Sequence, residues 1–388
     1  MRVVVVTPAM PQPFGETAAR GLDALLAQLL ARGIDVSCLV VTEESAASVE
    51  GARQRLRGLR GGERLDVAVF TPRRRPVLLR KLRSLQRPFS ETLHAEGFAE
   101  ALATRLAAGY DVLHLEQLWS GWVGLDREHA IVNVYQLEVL DWQGRRGLGL
   151  GERKALMQMR RATRRILKGS RHVRVVSRRL RERVRAMNPA LECTCVPFAL
   201  DAAHYPLQAP VAEPIIGLLG SMHWLPSRAA AERLITRIWP RVKQRVPRAR
   251  LLVGGWNARR YLGHHAGPGI ELVENLAHPS EFFSRAAVLV YPPVRGTGVK
   301  VKVLEAMAYG VPVVTTGEGI EGLACQAGVH CHVGEDDEVL AARVVELLGD
   351  ASERARLREA GRALVESAHA PAHVADQMLG LYERVRRA

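Results

Sequence analysis

Residues 286–323 read AAVLVYPPVRGTGVKVKVLEAMAYGVPVVTTGEGIEGL. Ala287–Tyr291 is an apolar run of buried-strand length, closed by Pro292 and Pro293. In the loop that follows, Arg295-Gly296-Thr297-Gly298, two glycines let backbone N–H groups approach a ligand closely. From Val301 the apolar positions Val301, Leu304 and Ala308 take helical spacing, with Lys302 and Glu305 off that face, until Gly310-Val311-Pro312 stops the helix. A second strand, Val311–Thr315, comes next. The order strand, glycine loop, helix, strand is that of a parallel α/β sheet with a ligand at its carboxyl edge.

The helix start carries unpaired N–H groups and about half a positive charge, and Lys300 and Lys302 stand beside it. Such a site suits an anion, and a diphosphate is the natural candidate. Glu305, one turn in, is placed to accept hydrogen bonds from hydroxyls such as those of a ribose. The chemistry indicated is nucleotide plus sugar.

The run GTGVKVKVLEAMAYGVPVVTTGEGIEGL resembles the donor-site signature of the group-1 retaining glycosyltransferases with the GT-B fold. Glu305, in LEAMA, falls on that family's ribose-binding glutamate. Where many members carry a further Glu eight positions earlier, this chain has Thr297, as in a branch reading G-x-G-x-[KR]-x-K-x-LEAMA, often found in exopolysaccharide biosynthesis. Donor hydroxyls would then be held by backbone N–H groups of Thr297–Val299. Gly220-Ser221-Met222-His223-Trp224-Leu225-Pro226-Ser227 is similar to the same branch's G-S-M-D-[YW]-x-P-N, with His223 and Ser227 in place of Asp and Asn. The resemblance is strong over about 214–325 and weaker before it. There Gly15 falls on the family's glycine-rich first loop, and His114 and Glu116 lie by the strand leading to the acceptor pocket.

The resemblance implies two Rossmann-like doubly wound domains facing across a cleft. The first, 1–201, binds acceptor, and the C-terminal helix 371–388 packs back onto it; 202–213 is a linker, and 214–370 binds the nucleotide sugar. It implies donor contacts from Gly15, Gly220, Ser221, Gly296, Thr297, Gly298, Val299, Lys300, Lys302, Glu305 and Glu321. Lys302, Glu305, His114 and Glu116 are the candidates nearest the reaction. The activity implied is hexosyl transfer from a UDP- or GDP-linked sugar with retention of configuration and without a metal, in polysaccharide or glycolipid assembly.

The rest of the chain bounds these expectations. With 388 residues and 47% apolar content it can bury two ordinary cores. The strands at Val3–Val6, Val36–Val41, Asp66–Phe70, Val112–Leu115, Ala130–Val134 and Val173–Val176 alternate with helical patterns. From Pro214 a second alternating series begins. No apolar run approaches the roughly 20 residues that span a bilayer, and MRVVVVTPAMP is too short for a signal peptide, so a cytoplasmic location is expected. Five cysteines without C-x-x-C argue against disulfides or zinc, and there is no Asp-x-Asp. His264, His265, His330 and His332 lack partners at ligand spacing. No cofactor is expected.

The net charge of +15 is uneven: residues 1–200 hold 33 Lys and Arg against 20 Asp and Glu, leaving 22 against 20 for the remainder. Residues 145–185 hold 16 basic residues against Glu152 and Glu182 alone, and Arg73, Arg74, Arg75, Arg80, Lys81, Arg83 and Arg87 form a second group. Such faces attract anionic surfaces. In Glu152–Lys168 a stripe of Leu156, Met159 and Ile166 set among arginines suits an anionic membrane, which would favour a lipid-linked acceptor; no nucleic acid partner is expected.

Three competing readings can be weighed. Gly317-Glu318-Gly319-Ile320-Glu321-Gly322 matches the dinucleotide pattern, but about six residues remain before the next strand, too few for a crossover helix. A nucleotide-sugar epimerase of the same fold would turn donor over without acceptor. A non-catalytic basic binding protein would not need Lys302 or Glu305.

Overall fold

The computed structural model describes residues 1–125, 127–142 and 147–387. The chain divides into two compact units, one of 1–200 with 371–388 and one of 201–370.

The first unit is a seven-stranded parallel sheet of β1 (Arg2–Thr7), β2 (Asp35–Val41), β3 (Leu65–Phe70), β4 (Val112–Glu116), β5 (Ala130–Val134), β6 (His172–Val175) and β7 (Glu192–Cys195). The order is β3-β2-β1-β4-β5-β6-β7. Val3 of β1 pairs with Val36 on one side and Val112 on the other. Helices on both faces bury these strands, hence their near-continuous valine and leucine runs. The helix Thr17–Ala31 lays Leu22, Leu25, Leu26 and Leu29 into a core that the C-terminal helix Pro371–Arg387 completes with Val374, Met378, Leu381 and Tyr382.

The second unit is a six-stranded parallel sheet of β8 (Ile215–Leu219), β9 (Arg250–Gly254), β10 (Ile270–Val273), β11 (Val288–Tyr291), β12 (Val313–Thr315) and β13 (His332–Val333), in the order β10-β9-β8-β11-β12-β13. In each unit the strand order reverses beside the first strand, between β1 and β4 and between β8 and β11. Loops leaving the carboxyl ends of those pairs diverge and open a crevice where doubly wound sheets take ligands.

Residues 202–213 cluster with the second unit. Tyr205 is buried edge-on to Tyr309, with ring centroids 5.2 Å apart, and Arg362 donates to its carbonyl at 2.6 Å. Between Gly317 and His332 no helix occurs among the described residues, so the dinucleotide pattern there has no crossover to serve. The cysteines are free thiols, with Cys325 and Cys331 lying 3.2 Å apart, sulfur to sulfur. Among the described residues no helix is long and apolar enough to cross a membrane.

Candidate functional site

β11 delivers the chain to Pro292, and the loop 292–300 turns it into the helix Val301–Tyr309, which Gly310 ends in the left-handed region (φ 76°). Gly296 (φ 150°) and Gly298 (φ 75°) make the loop's reversals, at angles that side chains resist. The loop after β8 approaches from the other side of the crevice. Gly220 N–H donates to Gly254 O at 3.0 Å, and Met222 N–H to Trp256 O at 3.0 Å. Gly255 (φ 130°) permits this crossing: a Cβ there would lie 2.0 Å from the Gly220 carbonyl oxygen.

Lys302 joins the two helices that follow these loops, Val301–Tyr309 and Leu225–Arg233. Its Nζ donates to Ser227 Oγ at 2.6 Å and lies 4.5 Å from the centre of the Tyr291 ring. A Cβ on Gly220 would come within 2.7 Å of that ammonium, so glycine leaves the lysine its place. Glu305, one turn further along the same helix, is buried. The switch point thus presents an ammonium group, a buried carboxylate and a helix start within one short stretch of chain. The arrangement can hold an anion and a hydroxyl-bearing group together.

Lys300 differs from its sequence expectation. Its ammonium is buried and turns into its own loop, donating to the carbonyl oxygens of Gly298 (2.7 Å) and Gly296 (3.2 Å). The carboxylates of Glu318 and Glu321 stand 3.9 and 4.0 Å away. In this structure Lys300 braces the glycine loop and stands beside the half-buried Glu318 and the buried Glu321, and Lys302 is the lysine that bridges the crevice. Glu321, expected as a donor contact, is an acid beside that brace.

Of the residues singled out in the sequence, Gly220, Ser221, Gly296, Thr297, Gly298, Val299, Lys300, Lys302, Glu305 and Glu321 all belong to the second unit, around the ends of β8, β11 and β12. Gly15 (φ 107°) lies in the first unit, in the loop between β1 and its helix, where its carbonyl accepts from Arg20 Nε at 2.8 Å. Two residues escaped the site expectation: Ser227, noted only as a departure from the branch motif, and Gly255. The signal for Gly255 was its position directly after an apolar run, where a glycine pair marks a tight backbone crossing.

His114 and Glu116 end β4 as expected, but their side chains are wholly buried and meet each other instead of solvent. His114 Nε2 donates to Glu116 Oε1 at 2.8 Å, and its Nδ1 meets the hydroxyl of Tyr382 from the C-terminal helix. Glu116 accepts further from Asn133 Nδ2 at 2.9 and 3.0 Å. Asn133 Oδ1 in turn accepts from the buried Arg174 at 2.7 Å. Burial, and after it the Glu116 charge, raises the Tyr382 phenol well above its ordinary range. The expectation that these two residues touch acceptor is therefore corrected: neighbouring strands and the C-terminal helix close over them, so they are a structural network. Glu138, just past β5, is the more open carboxyl in this region; burial pushes its pKa up while hydrogen bonds with Gln136 and Trp119 pull it back.

Among the described residues no group of three or more His, Cys, Asp or Glu is arranged to hold a metal ion.

Residues 213–350 match the family model described as "Glycosyl transferases group 1". The fold is similar over nearly the whole chain to sucrose-phosphate synthase from Thermosynechococcus elongatus, with a TM-score of 0.72, 19% identity and 99% of each chain covered. Anabaena HepE in complex with UDP-glucose gives a TM-score of 0.66 at 14% identity, covering 99% of this chain and 100% of that one. A mutant of S. aureus TarM in complex with Fondaparinux, alpha-GlcNAc-glycerol and UDP gives 0.67 at 9% identity, covering 98% and 99%. No curated protein sequence matches the chain. The fold is GT-B, and within it the second unit carries the match to the group 1 glycosyl transferases.

Proposed function

We propose that the protein moves a hexosyl group from a nucleoside-diphosphate sugar to an acceptor hydroxyl, with retention of configuration and no required metal, in polysaccharide or glycolipid assembly. The observation that carries this reading is Lys302, at the start of the helix after β11, bonded to Ser227 at the start of the helix after β8, one turn before the buried Glu305. As the bond from the anomeric carbon to the diphosphate oxygen breaks, charge grows on the leaving group. Lys302 and the N–H groups of Gly298 and Val299 would neutralise it as it develops. Glu305 anchors the ribose and so fixes the anomeric carbon. The acceptor oxygen bonds to that carbon, and its proton goes to the departing phosphate oxygen, which makes a second carboxylate unnecessary. Lys300 keeps the loop in shape.

A uridine nucleotide is favoured, because HepE and TarM were both solved with UDP or a UDP sugar. On the acceptor side the first unit offers a cavity of about 400 Å³ lined by Val139, Arg160, Thr163, Arg164 and Met187. Its two arginines favour a phosphorylated, for example lipid-linked, acceptor. They belong to the basic stretch 145–185, of which 145 and 146 lie outside the described residues, and its charge favours contact with an anionic membrane from the cytoplasmic side.

The test is to follow nucleoside diphosphate release from UDP- and GDP-sugars with and without candidate acceptors, with and without EDTA, and to read the product's anomeric configuration by NMR. Acceptor-dependent release, unaffected by EDTA, with the donor's configuration kept is the expected result. Sugar epimerisation without acceptor would favour the epimerase instead.

A further inference from the structure

The helix Val77–Gln86, VLLRKLRSLQ, was not anticipated from the sequence, and no residue described in it is buried. Val77 is 57% exposed, Leu78 70%, Leu79 54% and Leu85 55%. Soluble surfaces scatter such side chains singly; here four of them share ten residues. At 100° per residue, Leu78 and Leu85 lie on one line with Leu79 beside them. Arg80, Arg83 and Arg87 run along the other side, with Arg83 next to Leu79 and Arg80 next to Val77, and Lys81 falls between Leu85 and Val77.

A neighbouring helix is tied to its end. Arg165 of Leu150–Gly169 donates to the Gln86 carbonyl at 2.6 Å, holding the two helices together. Leu150 (86% exposed) and Met157 (66%) stand out from that second helix. Beneath the first, Phe89 stacks on Trp119 with centroids 4.6 Å apart, and Trp122 Nε1 donates to Pro88 O at 2.8 Å, so its far end is seated firmly.

We propose that the helix Val77–Gln86 lies in the headgroup layer of an anionic phospholipid bilayer, with Val77, Leu78, Leu79 and Leu85 inserted. The charges choose the occupant. Among the described residues Arg74, Arg80, Lys81, Arg83 and Arg87 have no carboxylate partner, so their field is uncompensated. A second copy of this chain, with its own net +15, would be repelled by it. Nucleic acid would take the arginines and leave the leucines in water. A basic helix with an apolar arc and cations on both edges fits an anionic interface, with its leucines at the boundary between headgroups and acyl chains. The proposal deepens the membrane part of the functional reading. It names a helix outside the stretch 145–185 and requires no step of the transfer reaction.

The experiment is co-sedimentation of the full-length protein with vesicles of phosphatidylcholine alone or mixed with phosphatidylglycerol. Wild type should pellet with the mixed vesicles and stay in solution with the neutral ones. The triple variant L78S/L79S/L85S should bind the mixed vesicles at least about tenfold more weakly. Its thermal melt and its stabilisation by UDP should match wild type, because the changed side chains already face water. Equal binding of wild type and triple variant overturns the proposal. If R160E/R161E/R164E alone loses binding, the stretch 145–185 is the membrane contact and the helix is not. Failure of wild type to pellet with anionic vesicles, or a dimer that the serines dissolve, also overturns it. A wild type that binds the mixed vesicles but is not stabilised by UDP would count against the transfer reading, not this one.

Discussion

Lys302 Nζ lies 2.6 Å from Ser227 Oγ, so a side chain of the helix after β11 is fastened to the first turn of the helix after β8, Leu225–Arg233, across the point where the sheet order reverses. The pair sets the position of a cation that closes the crevice. Lys302→Ala should lower kcat about a hundredfold to a thousandfold, the usual cost of removing one group that stabilises charge on a leaving oxygen. Ser227→Ala removes one hydrogen bond and should cost no more than about tenfold. Steady-state kinetics with a saturating acceptor separates the two.

Gly220 and Gly255 should respond differently to the same added methyl. At Gly220 the nearest obstacle is the mobile end of Lys302, 2.7 Å from the new Cβ. Gly220→Ala should therefore fold with a melting temperature near wild type and lose activity by pushing the ammonium aside. At Gly255 the obstacle is backbone at 2.0 Å and φ is 130°. Gly255→Ala should cost about 1–3 kcal/mol or more of stability. Thermal melts run beside activity assays test the contrast.

The hydroxyl of Tyr382 ties the C-terminal helix to His114, and through it to Glu116. Tyr382→Phe should destabilise the protein by about 1–3 kcal/mol, because it leaves a buried imidazole nitrogen without its donor. Chemical denaturation measures this. UDP affinity should be unchanged, since this network belongs to the first unit and the nucleotide is assigned to the second.

Glu353 is pulled down to about 2 from the ordinary 4.5, chiefly by its hydrogen bond with Arg356 and further by one with His332. A depressed carboxyl contributes stability above its unfolded pKa of 4.5 and loses it as pH falls through 2. Glu353→Gln should thus melt below wild type at neutral pH. The gap should narrow between pH 4.5 and 2 and vanish below that, a trend that melts across this range would show.

Much of the architecture could be read directly, because buried parallel strands leave largely apolar runs: β1, β8, β9 and β11 are nearly continuous, and β2, β4 and β5 are interrupted only by Ser37, by His114 and Glu116, and by Asn133. β7, with the sequence ECTC, and β13, only two residues long, carry no such run and went unseen. The helix Val77–Gln86 was missed because Leu78, Leu79 and Leu85 face outward and form no core stripe against a sheet. In the site, local chain order placed Lys302 and Glu305, whereas the directions of long side chains were not legible. Lys300 curls back to Gly296 and Gly298, and His114 and Glu116 face inward, because carbonyls and partners distant in sequence satisfy them there.

The most direct test is a calorimetric titration of UDP into wild type and Lys302→Ala. The account expects wild type to bind with a melting temperature that rises accordingly, about 2.7 kcal/mol of stabilisation at a hundred times the dissociation constant. The folded variant should bind at least about tenfold more weakly. Equal affinity in the two proteins would contradict the claim that Lys302 grips the diphosphate.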